Sequence, residues 1–195
     1  MLAAITVILM MGSTMAWFQD SKVVINTYTF GNLAVDIMKE QDEGYVSAQA
    51  QAVKFQKCYD PGGTYEEGEY LFEPGATFQL EDIYIKNKGD VPLKYRLEVV
   101  TSGATGDTEL LESMDIKVEM DGKLYDGETP QSLEADQMSE PIQIYLHMKE
   151  DAGNKYQGLT VYGVVVKVVA VQGEGIPDDE MEAAFAEAEN LPSGN

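Results

Sequence analysis

The feature that most constrains this fold is a period of two. From Pro141 to Met148 the chain reads Pro-Ile-Gln-Ile-Tyr-Leu-His-Met, so Ile142, Ile144, Leu146 and Met148 share one face and Gln143, Tyr145 and His147 the other. Side chains alternate across an extended strand and not across a helix, so a half-buried strand is the regular element that sorts these residues. The pattern recurs. Met114, Ile116, Val118 and Met120 mark a strand over 114–120, and Leu93, Tyr95, Leu97 and Val99 mark one over 91–101. Leu80, Ile83 and Ile85 mark another over 79–86, where a one-residue slip near Asp82 predicts a bulge. Leu159 to Gln172 is the longest apolar strand, and its near-continuous valine predicts that part of it is covered on both faces.

Turn chemistry separates these runs. Asn87-Lys88-Gly89-Asp90 is expected to close a β-hairpin between 79–86 and 91–101, and Asp121-Gly122 is a tight-turn signal leading into Lys123-Leu124-Tyr125. Pro74-Gly75 turns the chain into the next strand. Residues 39–47, 59–70, 102–107, 126–138 and 150–158 read as loops, with a helical turn over 108–112. Residues 48–58 carry helix signals (Ala, Gln) and strand signals (Val53, Phe55) together. After Gly173, Gly175 and Pro177, acids at Asp178, Asp179 and Glu180 suit the first turn of a helix, and Met181, Phe185 and Ala188 fall on one face of it. So short a helix is marginal unless that face docks. Strands at short spacing without β-α-β alternation predict an all-β fold, an antiparallel β-sandwich with a short acidic C-terminal helix.

The N-terminus directs the chain's destination. Leu2 to Met11 is an apolar run without charge, of the length of a signal-peptide core and short for a bilayer span. Thr14 and Ala16 sit at the −3 and −1 positions of a small-x-small cleavage site, with Trp17 as the first mature residue. The basic residues that ordinarily precede such a run are absent, and the alternative is a buried N-terminal strand or helix of the folded domain. The export reading divides the chain into a signal segment (1–16), a β domain (17–172) and an acidic tail (173–195). Cleavage frees a β-prone stretch, Trp17 to Phe30, in which Val23, Val24, Ile25, Tyr28 and Phe30 suit a strand.

The first mature residues also carry a resemblance. Ala16-Trp17-Phe18-Gln19-Asp20-Ser21, then Asn26-Thr27-Tyr28-Thr29-Phe30-Gly31-Asn32-Leu33 and Val35-Asp36-Ile37, resembles the N-terminus of TasA/camelysin-type proteins. The order Pro74-Gly75, strand, Asn87-Lys88-Gly89-Asp90, strand is similar to that family's middle. The loop Asp151, Ala152, Gly153, Asn154, Lys155, Tyr156, Gln157, Gly158, with a last strand closing on Ala170-Val171-Gln172, is similar to its end. The resemblance covers residues 1–172 in patches, with 39–72 and 102–135 alike only in general character. It implies a jelly-roll-like topology, removal of the signal by a SipW-type signal peptidase, and a secreted product that self-associates into biofilm-matrix fibres. Residues 17–30 are then the expected donor strand between subunits. A monomeric cell-surface binding or adhesin module is the alternative, and a camelysin-type metalloendopeptidase a further one.

Composition narrows the chemistry. A net charge of −21 over 195 residues repels phosphate backbones, so nucleic acid is not an expected partner, and a membrane is met only through the signal segment. The single cysteine, Cys58, makes an internal disulfide impossible and reads as a buried thiol. The single histidine, His147, lies off the apolar face of its strand. Zinc catalysis draws on several His or acidic ligands, so His147 alone does not make a zinc centre. There is no P-loop, and no nucleophile-base set can form around Cys58. Glu66, Glu67 and Glu69, and Asp178, Asp179 and Glu180, are weak calcium candidates without EF-hand spacing; as solvated acids they need no ion. No cofactor and no catalytic residue is expected.

Overall fold

A computed structural model describes residues 4–10, 33–48, 55–60, 63–64, 74–156 and 159–189. Within them the chain runs through β1 (Ala4–Met10), β2 (Val35–Gln41), β3 (Gly44–Ser47), β4 (Phe55–Asp60), β5 (Gly63–Thr64), β6 (Thr77–Leu80), β7 (Ile83–Asn87) and β8 (Leu93–Val100). It continues through β9 (Thr105–Gly106), a 3-10 turn (Thr108–Ser113), β10 (Met114–Met120), β11 (Lys123–Leu124), β12 (Gln131–Leu133) and β13 (Ile142–Met148). A second 3-10 turn (Asn154–Tyr156), β14 (Val161–Tyr162), β15 (Val165–Gln172) and the helix α1 (Asp178–Glu189) complete it. The fold is all-β and antiparallel, with one short C-terminal helix.

Two large sheets share one core. The smaller has the order β1-β15-β8-β12; the larger runs β3-β2-β7-β13-β6-β4-β5, with β10 on the other side of β13 and β11 beyond β10. Leu93, Tyr95, Leu97, Val166, Val168 and Ala170 of the smaller sheet enter the same buried cluster as Ile37, Phe78, Leu80, Ile85, Ile142 and Ile144 of the larger. The alternation over 141–148 is realised in full: Ile142, Ile144, Leu146 and Met148 are buried and the residues between them are not.

The slip near Asp82 is a bulge. Ile142 pairs with Ile83 and Tyr145 with Gln79, so three steps along β13 face four along β6 and β7. The extra residue resets the alternation, which lets Phe78 and Leu80 before it and Ile83 and Ile85 after it all point into the core. It also splays the strand, so that β6 pairs onward with β4 and β7 with β2.

The expected hairpin between 79–86 and 91–101 does not form. β7 lies in the larger sheet and β8 in the smaller, so Lys88–Pro92 carries the chain from one to the other. Asn87 explains the detour. Its side chain is fully buried, donates from Nδ2 to the carbonyls of Val91 and Glu134 (2.9 Å each), and accepts at Oδ1 from the Gly89 amide (2.9 Å). An Asx-type side chain that bonds its own backbone two residues on makes a turn as readily as a hairpin would.

Other expectations shift in detail. Residues 39–47, expected as a loop, are a hairpin: β2 and β3 join through Asp42-Glu43, with Asp42 at a positive φ of 53°. The ambiguous stretch 48–58 is strand from Phe55. β12 lies inside the expected loop 126–138. The strand expected over 159–172 breaks at Gly163-Val164 into β14 and β15. Asp121 (φ 51°) and Gly122 (φ 67°) form the tight turn that their identities predict, both central residues at positive φ as a type I′ hairpin demands.

Candidate functional site at the edge of the last long strand

β15 is the strand on which the smaller sheet is built. All eight of its residues pair with β8 on one side, and Val165 to Val171 pair with β1 on the other, from Met10 against Val165 to Ala4 against Val171. From Val168 to Val171 both faces are dry as well. Val166, Val168 and Ala170 point into the shared core, while Val169 and Val171 on the opposite face pack with Met181, Ala184, Phe185 and Ala188 of α1. This is the cover on both faces that a near-continuous valine run requires. The chain leaves β15 at Gly173, whose amide donates to the Pro92 carbonyl at 2.8 Å. A Cβ there would lie 3.1 Å from the Pro92 carbonyl carbon, so only glycine passes the start of β8 without displacing it.

The helix is held to the sheet by charge as well as by apolar burial. Lys94 and Arg96, two residues apart on the outer face of β8, meet Asp178 and Glu182, four apart on α1. Two strand steps span about 6.7 Å and one helical turn about 5.4 Å, so the spacings match. Arg96 donates through both terminal nitrogens to Glu182, one of them at 3.0 Å, and its guanidinium carbon lies 4.3 Å from the centroid of the Phe185 ring. The hydrogen bond from Arg96 holds the Glu182 carboxyl below its ordinary range, and Glu182 in turn raises the guanidinium. Arg96 Nε is buried without a hydrogen-bond partner, so the guanidinium is committed to the ring and to Glu182.

Around β1 the surroundings form a slot. The β15 edge supplies backbone donors and acceptors, and α1 and β2 lie against β1. Beside the end of β15 a cleft of about 320 Å³ is lined by Gln172, Glu174, Ile176, Glu180, Ala184 and Glu187. The helix therefore turns a hydrophobic side to the sheet and an acidic one to this cleft. On the other margin of the smaller sheet, β12 covers only Leu93, Lys94 and Tyr95 of β8, and no described strand pairs there beyond Tyr95.

The residues singled out from sequence fall in several places. Ala4–Met10, within the expected signal segment, forms β1, whereas Thr14, Ala16 and Trp17 lie outside the described residues, as do Val23, Val24, Ile25, Tyr28 and Phe30. Glu66, Glu67 and Glu69 lie outside them too. Asp178 and Asp179 are exposed at the start of α1. Among the described residues no three His, Cys, Asp or Glu side chains are grouped to hold a metal. His147 Nδ1 sits 2.9 Å from the Thr77 hydroxyl, a cross-strand contact between β13 and β6. Cys58 lies in β4, where its backbone pairs with Phe78. In the loop resembling the family's, Asp151 and Gly153 are exposed, Tyr156 packs against the core beneath Lys155 (Nζ 4.4 Å from its ring centroid), and Gln157 and Gly158 lie outside the described residues. No described helix is long and apolar enough to cross a membrane.

Sequence reasoning misses two features. One is the Arg96–Glu182–Phe185 clamp, whose only signal is a basic residue amid an apolar alternation. The other is the turn at Asp126, whose carboxylate accepts from the Thr129 hydroxyl (2.6 Å) and from the amides of Thr129 (2.8 Å) and Glu128 (2.9 Å). Those bonds, the Thr129 hydroxyl first, pull its pKa down to about 2. The Asp-x-x-Thr spacing is the signal that could have found it. No family model, no curated protein and no solved structure matches the chain.

Proposed function

We propose that the chain is an exported structural protein of the TasA/camelysin type, which assembles into extracellular fibres of a biofilm matrix or cell coat. In this reading the two sheets pack as a jelly-roll-like sandwich and a SipW-type signal peptidase releases Trp17. The freed segment 17–30 then adds as a strand to the next subunit, a head-to-tail contact that does not close and so grows a filament. Backbone bonds supply affinity, and alternate side chains such as Val23 and Ile25 supply register.

The observation that carries this reading is the incomplete edge of the smaller sheet. Five residues of β8, Arg96–Val100, extend past the last pair with β12, with the Tyr125 hydroxyl rather than a strand against the Leu97 amide (3.4 Å), and a margin without a partner strand is a template for one. The family likeness and the uncharged, β-prone character of residues 23–30 support it further.

Negative-stain electron microscopy of the chain beginning at Trp17 tests the proposal. With a net charge of −21, subunits repel at neutral pH, and fibres are expected to lengthen as pH falls into the carboxylate range. The same chain without residues 17–27 should stay a folded monomer. Fibres of normal length from it refute strand donation, and a monodisperse monomer at every pH from the Trp17 chain favours a binding module instead.

A further inference from the structure

We propose that Tyr45 and Tyr84 are the two halves of a dityrosine cross-link, made by one-electron oxidation outside the cell, which ties β3 to β7 across β2. Such a bond belongs to the folded β domain and is independent of fibre assembly.

The placement follows from the strand order β3-β2-β7. Glu40 of β2 pairs with Tyr45 of β3, and Met38 of β2 with Tyr84 of β7. Ile83 and Ile85 point into the core, so alternation sends Tyr84 to the outer face of the larger sheet, where Tyr45 meets it. Strands two places apart are separated by about 9.6 Å. The two side chains close that gap over β2, with ring centroids 4.9 Å apart and planes at 76°. Tyr45 is 46% exposed and Tyr84 is 8% exposed. An oxidant therefore reaches Tyr45 from solvent, while Tyr84 is shielded from a second molecule. Burial first, then Tyr45, Asp82 and Glu40, push the Tyr84 pKa up to about 12, so at neutral pH the phenol keeps its proton until the ring is oxidised. Glu40 and Asp82 are the carboxylates at hand to take protons away.

The chemistry balances with an external peroxide. Each phenol gives up one electron and one proton and becomes a phenoxyl radical. The radicals join through ring carbons ortho to oxygen. The hydrogens on those carbons then move to the oxygens as the rings regain aromaticity. Two electrons and two protons leave in all, and hydrogen peroxide, acting through a haem peroxidase, takes them up to become two waters. The chain has use for such a bond. Its single cysteine denies it an internal disulfide, the ordinary staple of a small exported domain. β3 is four residues long and lies at the end of its sheet, held by β2 alone among the described strands. A link from Tyr45 to Tyr84 closes a loop of about 40 residues and so restricts the unfolded chain as a disulfide would.

The test treats the full chain, Tyr45→Phe and Tyr84→Phe with hydrogen peroxide and a haem peroxidase, and isolates the monomer. Cleavage after Glu, Lys and Arg places Tyr45 alone on the peptide 44–54 and Tyr84 alone on 82–86. The full chain should yield these two joined and lighter by two hydrogens than their sum, at a yield independent of protein concentration. Its cross-linked monomer should show dityrosine fluorescence and a higher urea midpoint. Both phenylalanine variants should lose the joined peptide. Recovery of 44–54 and 82–86 unjoined from the oxidised full-chain monomer, oxygenated or not, overturns the proposal without recourse to either variant. So does recovery of 44–54 joined only to itself in covalent dimers, since the exposed ring then couples between copies. An unchanged urea midpoint in the cross-linked monomer overturns its role as a staple.

Discussion

Replacing Phe185 by alanine probes how α1 is held, and its cost has a ceiling set by the structure. Phe185 is 1% exposed, packed among Val169, Val171, Met181, Ala184 and Ala188 with Arg96 stacked on its ring. Truncating a buried phenylalanine costs about 3–5 kcal/mol when the protein must keep the cavity. A twelve-residue helix is not stable alone, so α1 exists only while docked. Once the loss exceeds the docking free energy the helix undocks, and the remaining cost is not felt by the core. The expected result is therefore a split response. Amides of Met181–Ala188 lose protection by the full local amount, while the unfolding free energy of the β domain, extrapolated from urea, falls by less than about 3 kcal/mol. Phe185→Leu keeps most of the buried area and loses the ring beneath the guanidinium, so it should cost about 1 kcal/mol with α1 still docked. Helix amides as protected in Phe185→Ala as in the parent chain would refute the reasoning, since the docking would then not depend on this contact.

The same geometry sets the outcome of three further perturbations. Asn87→Ala strands two carbonyls and one amide that its side chain now satisfies; at about 1 kcal/mol each the loss is roughly 3 kcal/mol, read as a urea midpoint about 1.5 M lower at an m of about 2 kcal/mol/M. Tyr95, 3% exposed, has its pKa pushed up to about 12 by burial, so the unfolded state ionises first: stability is unaffected below pH 10 and falls between pH 10 and 12 by about 2–3 kcal/mol, with phenolate absorbance from this residue appearing only on unfolding. Asp126, held near 2, contributes stability that is complete above its unfolded pKa near 4 and lost as pH falls from 4 to 2; Asp126→Ala should abolish that part of the acid dependence, which chemical denaturation at successive pH values measures.

Whatever a local rule decides is legible in the sequence. Alternation places β10, β13 and the bulge at Asp82, because a two-residue period leaves no other way to bury Leu80 and Ile83 together. Two residue identities, Asp121 and Gly122, place a type I′ turn. The acids and the spacing of Met181, Phe185 and Ala188 place α1 and its buried face. Where long-range bonds decide, the sequence misleads. Lys88–Pro92 has the composition of a hairpin turn, but the bonds that send it to the other sheet reach Glu134, 47 residues away. β3 and β12 are four and three residues long, too short for periodicity to separate from loop. The candidate site suffers in the same way. The β1–β15 pairing joins residues more than 150 apart, and the apolar run that makes β1 has equally the composition of an exported leader.

Those two readings of residues 4–10 meet in the physics of β15. A soluble protein protects an exposed sheet edge with charge, proline, a bulge or a short strand. β15 has little of this: its eight residues, Val-Val-Lys-Val-Val-Ala-Val-Gln, carry the single charge of Lys167 and neither proline nor bulge. Left bare beside a buried helix face, such a strand recruits whatever extended segment is nearest. If residues 4–10 are removed, as the proposed export requires, the β15 amides on that side exchange with water unless another strand takes the place, and hydrogen exchange on the chain beginning at Trp17 decides between the two.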